Sequence, residues 1–320
     1  MKKTIPVAFA LDENYVLPTI VSITSMLENK CPDTFYDIYI LENSLSEKSK
    51  EKFIWEFHAE HYALSFIPLD VQLFKQYVTC EAWPETIFAR YLIPTILSKH
   101  EKCIYLDGDT LILEDLGPLY EVELADNYFG AVKSPFMNFR MAAEKESWIE
   151  IDRELFLLQC FNSGVLVMNI ALMRRDNLLP VLLEETRNIA SKLPAGGWFG
   201  DQDVLNKVCA AKVTYLPLKY NFYVSTEEVF SSVYPVYPFC FDKITIDEAF
   251  ASPTIIHYSL DEKPWKYANA EEVYAQPFKE NYRELWDQYY FLSPLGTIPL
   301  DRGKIRFKRR LHIQKERYSK

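Results

Sequence analysis

Over the first seventy residues, the spacing of apolar and polar positions switches between two periods. TIPVAFAL (4–11) is a short apolar run rich in strand formers, and DENY breaks it. TIVSITSMLENK (19–30) sets Ile20, Ile23 and Leu27 at helical spacing, and FYDIYIL (35–41) alternates as a strand does. SEKSKEKFIWEFHAEH (46–61) predicts an exposed amphipathic helix capped by Ser46, and ALSFIPL (63–69) predicts a third strand. The order β-α-β-α-β is the unit of a doubly wound sheet.

Further along, TIFARYLIPTILS (86–98) predicts a helix that breaks before Pro94, and KCIYL (102–106) and TLIL (110–113) predict short strands. YFGAVK (128–133), GVLVMNI (164–170), KVTYLPL (212–218) and TIIHY (254–258) predict more strands. Helices are expected over 177–193, in the second half of GGWFGDQDVLNKVCA (196–210), and over 271–292. VYPVYPFCF (233–241) has no regular period; it suits the wall of a cleft or the core equally. No repeat or linker interrupts the chain, so the expectation is a single α/β domain with a basic tail.

Composition adds bounds. The 320 residues are 49% hydrophobic and 25% charged, as in an ordinary globular protein, and the net charge of −10 argues against nucleic acid as the main partner. That charge is uneven: residues 301–320 hold nine Lys/Arg against two acidic residues, a local +7 on a body of −17. The six cysteines are dispersed with no CxxC pair, several inside apolar runs that suit a core. The apolar stretch after MKK is too short for a convincing signal peptide, and no window is apolar enough to span a membrane. A cytoplasmic protein is expected, with peripheral contact to the inner membrane face through 301–320.

The nine glycines form neither GxGxxG nor GxxxxGK[ST], so both usual phosphate cradles are missing. If the chain binds a phosphorylated ligand, a metal is the natural substitute for the missing backbone amides. CIYLDGDTLIL (103–113) sets Asp107 and Asp109 two apart at the end of an apolar run. Asp and Gly there suit a turn, but side chains at i and i+2 of an extended chain share a side, so both carboxylates can face one cation. Of the five histidines, only His257 ends an apolar strand, and HYSLDEKPWK puts Lys263 and Trp265 in the loop beyond it. Ligands gather at such carboxyl ends in open α/β sheets. A satisfied core histidine is the bland alternative. An O,O,N set of Asp107, Asp109 and His257 has room for a diphosphate, and its nitrogen favours Mn²⁺ over Mg²⁺.

One rival pattern is the DxDGT strand end and later GD…D pair of haloacid-dehalogenase-type, Mg²⁺-dependent phosphatases. DGDT here is off that register by one, and GDQD (200–203) would have to supply the pair.

FALDENY, FARY, YLDGDTLIL, FNSGVLVMN, GDQDVLN and HYSLDEKPW occur in the order seen in family 8 glycosyltransferases, which the chain resembles from residue 4 to about 266. The resemblance implies a GT-A fold, a Rossmann-like mixed sheet flanked by helices. It sets a catalytic domain over 1–266, a helical extension over 267–300 and the basic tail over 301–320. It further implies retaining transfer of galactose or glucose from a UDP-sugar to a cell-envelope glycan such as lipopolysaccharide. Asp107, Asp109 and His257 would hold Mn²⁺ or Mg²⁺, and Ala10, Asp12, Asn14 and Tyr15 would form the uridine turn. Arg90, Asn162, Ser163 and Lys263 would complete the donor pocket, with Asp201 and Gln202 as the catalytic pair. The family usually has glycine three residues after its metal histidine, where this chain has Leu260. That departure keeps a non-catalytic nucleotide-sugar-binding protein among the alternatives.

Overall fold

The computed structural model describes residues 3–70, 72–75, 85–134, 159–193, 199–223, 241–259, 263–265 and 277–296. Three parallel strands open the fold: β1 (Lys3–Leu11), β2 (Thr34–Glu42) and β3 (Tyr62–Pro68). The chain then crosses back to lay β4 (Cys103–Leu106) on the other side of β1, and continues at once into β5 (Thr110–Ile112). After these come β6 (Phe129–Lys133), β7 (Phe161–Met168), β8 (Val213–Tyr215), β9 (Phe222–Tyr223) and β10 (Ile255–His257). Seven strands form one mixed sheet in the order β3-β2-β1-β4-β7-β6-β8, and the other three form a small sheet, β5-β10-β9.

This topology decides where a ligand can sit. Order reverses between β1 and β4, and such a switch point leaves a crevice at the carboxyl ends of its two strands. Those ends are Leu11 and Leu106, directly before Asp12 and Asp107. The small sheet then hangs the segment after Asp109 onto β10, with Thr110 opposite His257 in antiparallel register.

The Val16–Glu28 helix is buried along nearly its whole length, so its hydroxyls need partners indoors. Thr24 donates to Ile20 O, Ser25 to Ser22 O, and Ser22 pairs with Thr110 at 2.9 Å. The Pro277–Leu292 helix closes over it, with Asn29 Nδ2 donating to Tyr289 Oη at 2.6 Å and Trp286 stacked on Tyr290.

Two expectations on local structure change. The helix over 46–61 contracts to Glu47–Lys50, although Ser46 does cap it by accepting from Ser49 N. Phe53 and Trp55 are both buried while Ile54 between them is 55% exposed, an alternation only an extended chain provides. The burial of those two rings, with Trp55 Nε1 donating to Thr24 Oγ1, overrides helical propensity. In 86–98 the chain runs as a 3₁₀ helix over Glu85–Leu92 and passes straight into a short α-helix, Ile93–Ile96. Pro94 falls in its first turn, where a missing N–H costs nothing. The aromatic stretch 233–240 and the basic tail 301–320 lie outside the described residues, as does Leu260.

Candidate active site

Two glycines allow the elements to converge. A Cβ on Gly108 would lie 2.2 Å from Thr19 Oγ1, so the DGD turn rests directly on the Val16–Glu28 helix. A Cβ on Gly164 would lie 2.3 Å from His257 Cε1 and 2.7 Å from Asp107 Oδ2, so glycine there keeps the space in front of both side chains open. Asp107 N also donates to Gly164 O at 2.7 Å, which fixes the turn against β7.

Asp107, Asp109 and His257 present ligand atoms that all lie within 4.8 Å of one another, the one such group among the described residues. His257 Nε2 is 3.3 Å from Asp109 Oδ1 and 3.8 Å from Asp107 Oδ2. Asp109 is 6% exposed, and its Oδ1 is buried with no hydrogen-bond partner. An orphaned buried carboxylate oxygen is costly unless a cation faces it. Two carboxylates and an imidazole suit a divalent ion of the manganese type, so the residues fit the metal expected of them. Asp109 Oδ2 accepts from the buried Lys263 ammonium at 2.6 Å, and Lys263 also donates to Tyr258 O. Burial alone would raise the Asp109 pKa, but Lys263, joined by His257 when its ring is protonated, outweighs it and holds the carboxyl well below the usual range.

The other end of the site is built around Arg90. Its guanidinium donates to Asp107 Oδ1 at 3.2 Å and to Ser163 O, and lies 4.4 Å above the Tyr105 ring. Its Nε is 3.0 Å from Asp201 Oδ2 but donates to Ile87 O, which leaves that buried carboxylate oxygen near a positive charge without a hydrogen bond. Burial pushes the Asp201 carboxyl up to about 6; Arg90 opposes the shift and Asp107 adds to it. Asp201 begins the Asp201–Cys209 helix. Asn206 anchors that helix to β7, its amide bonded to both Phe161 N and Phe161 O at 2.7 and 2.8 Å.

The site residues expected from sequence take up these positions. Ala10 is the penultimate residue of β1, and Asp12 caps the following turn by accepting from Asn14 N at 2.9 Å. Tyr15 lies edge-on to Trp265 at 6.4 Å, so the first turn and the KPW loop are neighbours. Gln202 Oε1 accepts from Asn162 Nδ2 at 2.9 Å and from Ser163 N at 3.0 Å. Asp203 accepts from Gly200 N at 2.7 Å as a helix cap. The GDQD carboxylates are thus engaged elsewhere and do not join the metal group, contrary to what the phosphatase pattern needs. Sequence reasoning missed Asn206, Asn221 and Tyr105. Asn206, a polar residue on the buried side of a short helix, left a faint signal; Asn221 in KYNFY left none.

The family model described as "Glycosyl transferase family 8" matches residues 6–269. The "Probable glycosyl transferase Gly" of Streptococcus gordonii is 26% identical over 297 residues, which are 90% of this chain and 36% of that protein. The lipopolysaccharide 1,2-glucosyltransferase of Escherichia coli is 26% identical over 324 residues, 99% of this chain and 85% of that protein. Among solved structures, galactosyltransferase LgtC in complex with donor and acceptor sugar analogs superposes with a TM-score of 0.70 at 23% identity, covering 88% of this chain and 95% of that one. At that identity the likeness establishes a shared fold. The chain spans little more than a third of the length of the S. gordonii relative.

Proposed function

The chain belongs to glycosyl transferase family 8, and from that premise we propose that it moves galactose or glucose from a UDP-sugar to a cell-envelope glycan, such as lipopolysaccharide, with retained anomeric configuration. The observation that carries this reading is the convergence of Asp107, Asp109 and His257 beside the Asp12–Tyr15 turn, at the switch point between β1 and β4. That is where a nucleotide and its diphosphate would lie together.

Asp107, Asp109 and His257 would hold Mn²⁺, with Mg²⁺ as the alternative. The ion, when bound, neutralises charge developing on the diphosphate as it leaves. Asp12 and Tyr15 are suited to accept from and stack on the uracil, and Ala10 and Asn14 complete that turn. Lys263 would serve the phosphates; its ammonium already rests on Asp109, so it would share its protons between the two.

Asp201 and Asn162 would face the sugar hydroxyls. The Gln202 oxygen already accepts two hydrogen bonds, which leaves it a poor nucleophile toward an anomeric carbon. Asp201 sits against Arg90. These commitments favour same-face attack by the acceptor through an oxocarbenium-like state, with Asp201 orienting and Gln202 bracing the donor pocket.

Among the described residues no helix is long and apolar enough to cross a membrane. A peripheral contact of 301–320 with an anionic leaflet is part of the proposal.

The deciding experiment is a screen of UDP-sugars for metal-dependent release of UDP by the full chain. UDP-galactose or UDP-glucose should be turned over with Mn²⁺, and Asp107→Asn should abolish the release. Tight UDP–Mn²⁺ binding with no turnover of any UDP-sugar would make the protein a non-catalytic binder instead.

A further inference from the structure

We propose that Asn221 is a positioning residue which, through a one-way run of side-chain amides, holds His257 as its Nδ1–H tautomer and so presents the Nε2 lone pair to the cation site. The inference rests on the metal reading above. It concerns a residue outside every motif that pointed to the site.

Two backbone N–H groups set the direction of the run. Gly164 N donates to Asn162 Oδ1 at 2.9 Å, and Ser163 N donates to Gln202 Oε1 at 3.0 Å. A backbone N–H only donates, so the atoms it meets must be amide oxygens. Asn162 therefore turns its Nδ2 to Gln202 Oε1, at 2.9 Å. Its Oδ1 also receives Asn221 Nδ2 at 2.9 Å. Turning Asn221 over would set two amide oxygens against each other with no proton between them. Asn221 Oδ1 therefore faces His257 Nδ1, 2.9 Å away, and an amide oxygen can only accept. The ring proton belongs on Nδ1.

The consequence falls on the other ring nitrogen. In this tautomer Nε2 carries a lone pair 3.3 Å from Asp109 Oδ1, and no proton lies between them. The opposite tautomer would donate to Asp109 Oδ1 and satisfy the orphaned oxygen from within the protein. Asn221 prevents that closure, so the lone pairs of His257, Asp109 and Asp107 stay available to a cation. Asn221 is fully buried, and water cannot take over its role. The same amides run on to Gln202, so the histidine's orientation and the brace of the donor pocket share one hydrogen-bond path. Partners of this kind orient metal-binding histidines, and their loss typically costs 10–100-fold in metal affinity.

The test uses the metal-free full chain and long-range proton–nitrogen correlation spectra of its imidazoles, recorded at a pH where the ring is neutral. The His257 signals are assigned by their loss in His257→Gln. The wild type should show the Nδ1–H tautomer. Asn221→Leu should shift the ring toward Nε2–H and raise the dissociation constant for Mn²⁺ alone by about 10–100-fold. Asn221→Asp, which keeps an acceptor for Nδ1–H but gives up the donor to Asn162 Oδ1, should restore the tautomer. A purely structural role would leave the tautomer unchanged in both variants, and that result overturns the proposal. An Nε2–H ring in the wild type does so by itself, without any variant having to fold. Mn²⁺ affinity that responds to Asp107→Asn but not to Asn221→Leu defeats this proposal alone. Affinity indifferent to Asp107→Asn removes the metal site, and the proposal with it.

Discussion

Asp109 and Asp201 are both 6% exposed, and each has a buried cation beside it. Their carboxyls nevertheless move in opposite directions: Asp109 is held well below the ordinary range, while Asp201 is pushed up to about 6. Burial raises both, and the difference lies in the surrounding charges: Lys263, and His257 when its ring is protonated, draw Asp109 down, whereas at Asp201 the pull of Arg90 is opposed by Asp107 and Asp203. Lys263 also donates to Asp109 Oδ2 across 2.6 Å, whereas the Arg90 Nε proton goes to Ile87 O. Opposite charge outweighs burial at Asp109, while like charge adds to burial at Asp201. The metal end of the site is therefore poised as an anion, and the sugar end sits close to protonation.

The comparison is broken most decisively by replacing each carboxyl with its amide. Asp109→Asn should abolish Mn²⁺-dependent UDP binding outright. Asp201→Asn should lower turnover by about 100-fold, the scale of a lost electrostatic contact, with little change in UDP affinity. Titrations of UDP with and without manganese, alongside turnover, separate the two. An equal fall in UDP affinity for both variants would place Asp201 in the nucleotide site.

Stability sharpens the contrast. Asp109→Asn leaves the Lys263 ammonium buried without its anion, so the metal-free variant should lose roughly 3–5 kcal/mol in urea unfolding. Asp201 has the reverse sign. Its native carboxyl keeps a proton up to about 6 against an ordinary 3.8, so the native state binds more protons between those values. Stability falls as pH rises through that window, by about 3 kcal/mol for a shift of this size. Asp201→Asn should remove this fall, so the metal-free wild type should lose stability relative to the variant between pH ~4 and ~7. A constant gap across that range would mean that Asp201 is ionised throughout. Asp109 contributes the opposite way: its share is present above the ordinary carboxylate value and fades as acid reaches its depressed native value.

The smallest expected effect concerns the basic tail, where on a helix Phe307, Leu311 and Tyr318 would fall within about 40° of one another. So thin a stripe leaves attraction to the charges, at roughly 1 kcal/mol per Lys or Arg near an anionic leaflet. Co-sedimentation with anionic vesicles should favour the full chain over one ending at residue 300, and salt should release it. Equal binding of the two forms would remove the membrane from the account.

Much of this molecule was legible in its residue order. The apolar run of β1, the alternation of β2 and the strand formers of β3 marked the first half of the sheet, and the DGD stretch after β4 identified a carboxylate pair, because such patterns along a strand are local geometry. The helix over 178–192 was readable because helical spacing of apolar positions is local too. Segment 46–61 was not: Phe53 and Trp55 gain more from burial on one side of an extended chain than the helix gains from propensity. Pro94 misled in the other direction, because its effect depends on where a helix starts. From the residues alone came an α/β sheet and a carboxylate pair, Asp107 and Asp109, at a strand end; the sheet order then put that end at a switch-point crevice. Only three-dimensional packing decided which histidine nitrogen meets them, and which cation lies against which carboxylate. Those depend on Thr110 standing opposite His257 in a second sheet, and on Asn221, Asn162 and Gln202 meeting across 40 to 59 residues of chain. Hydrogen-bond direction among such partners is set by three-dimensional contact, to which local sequence pattern is blind.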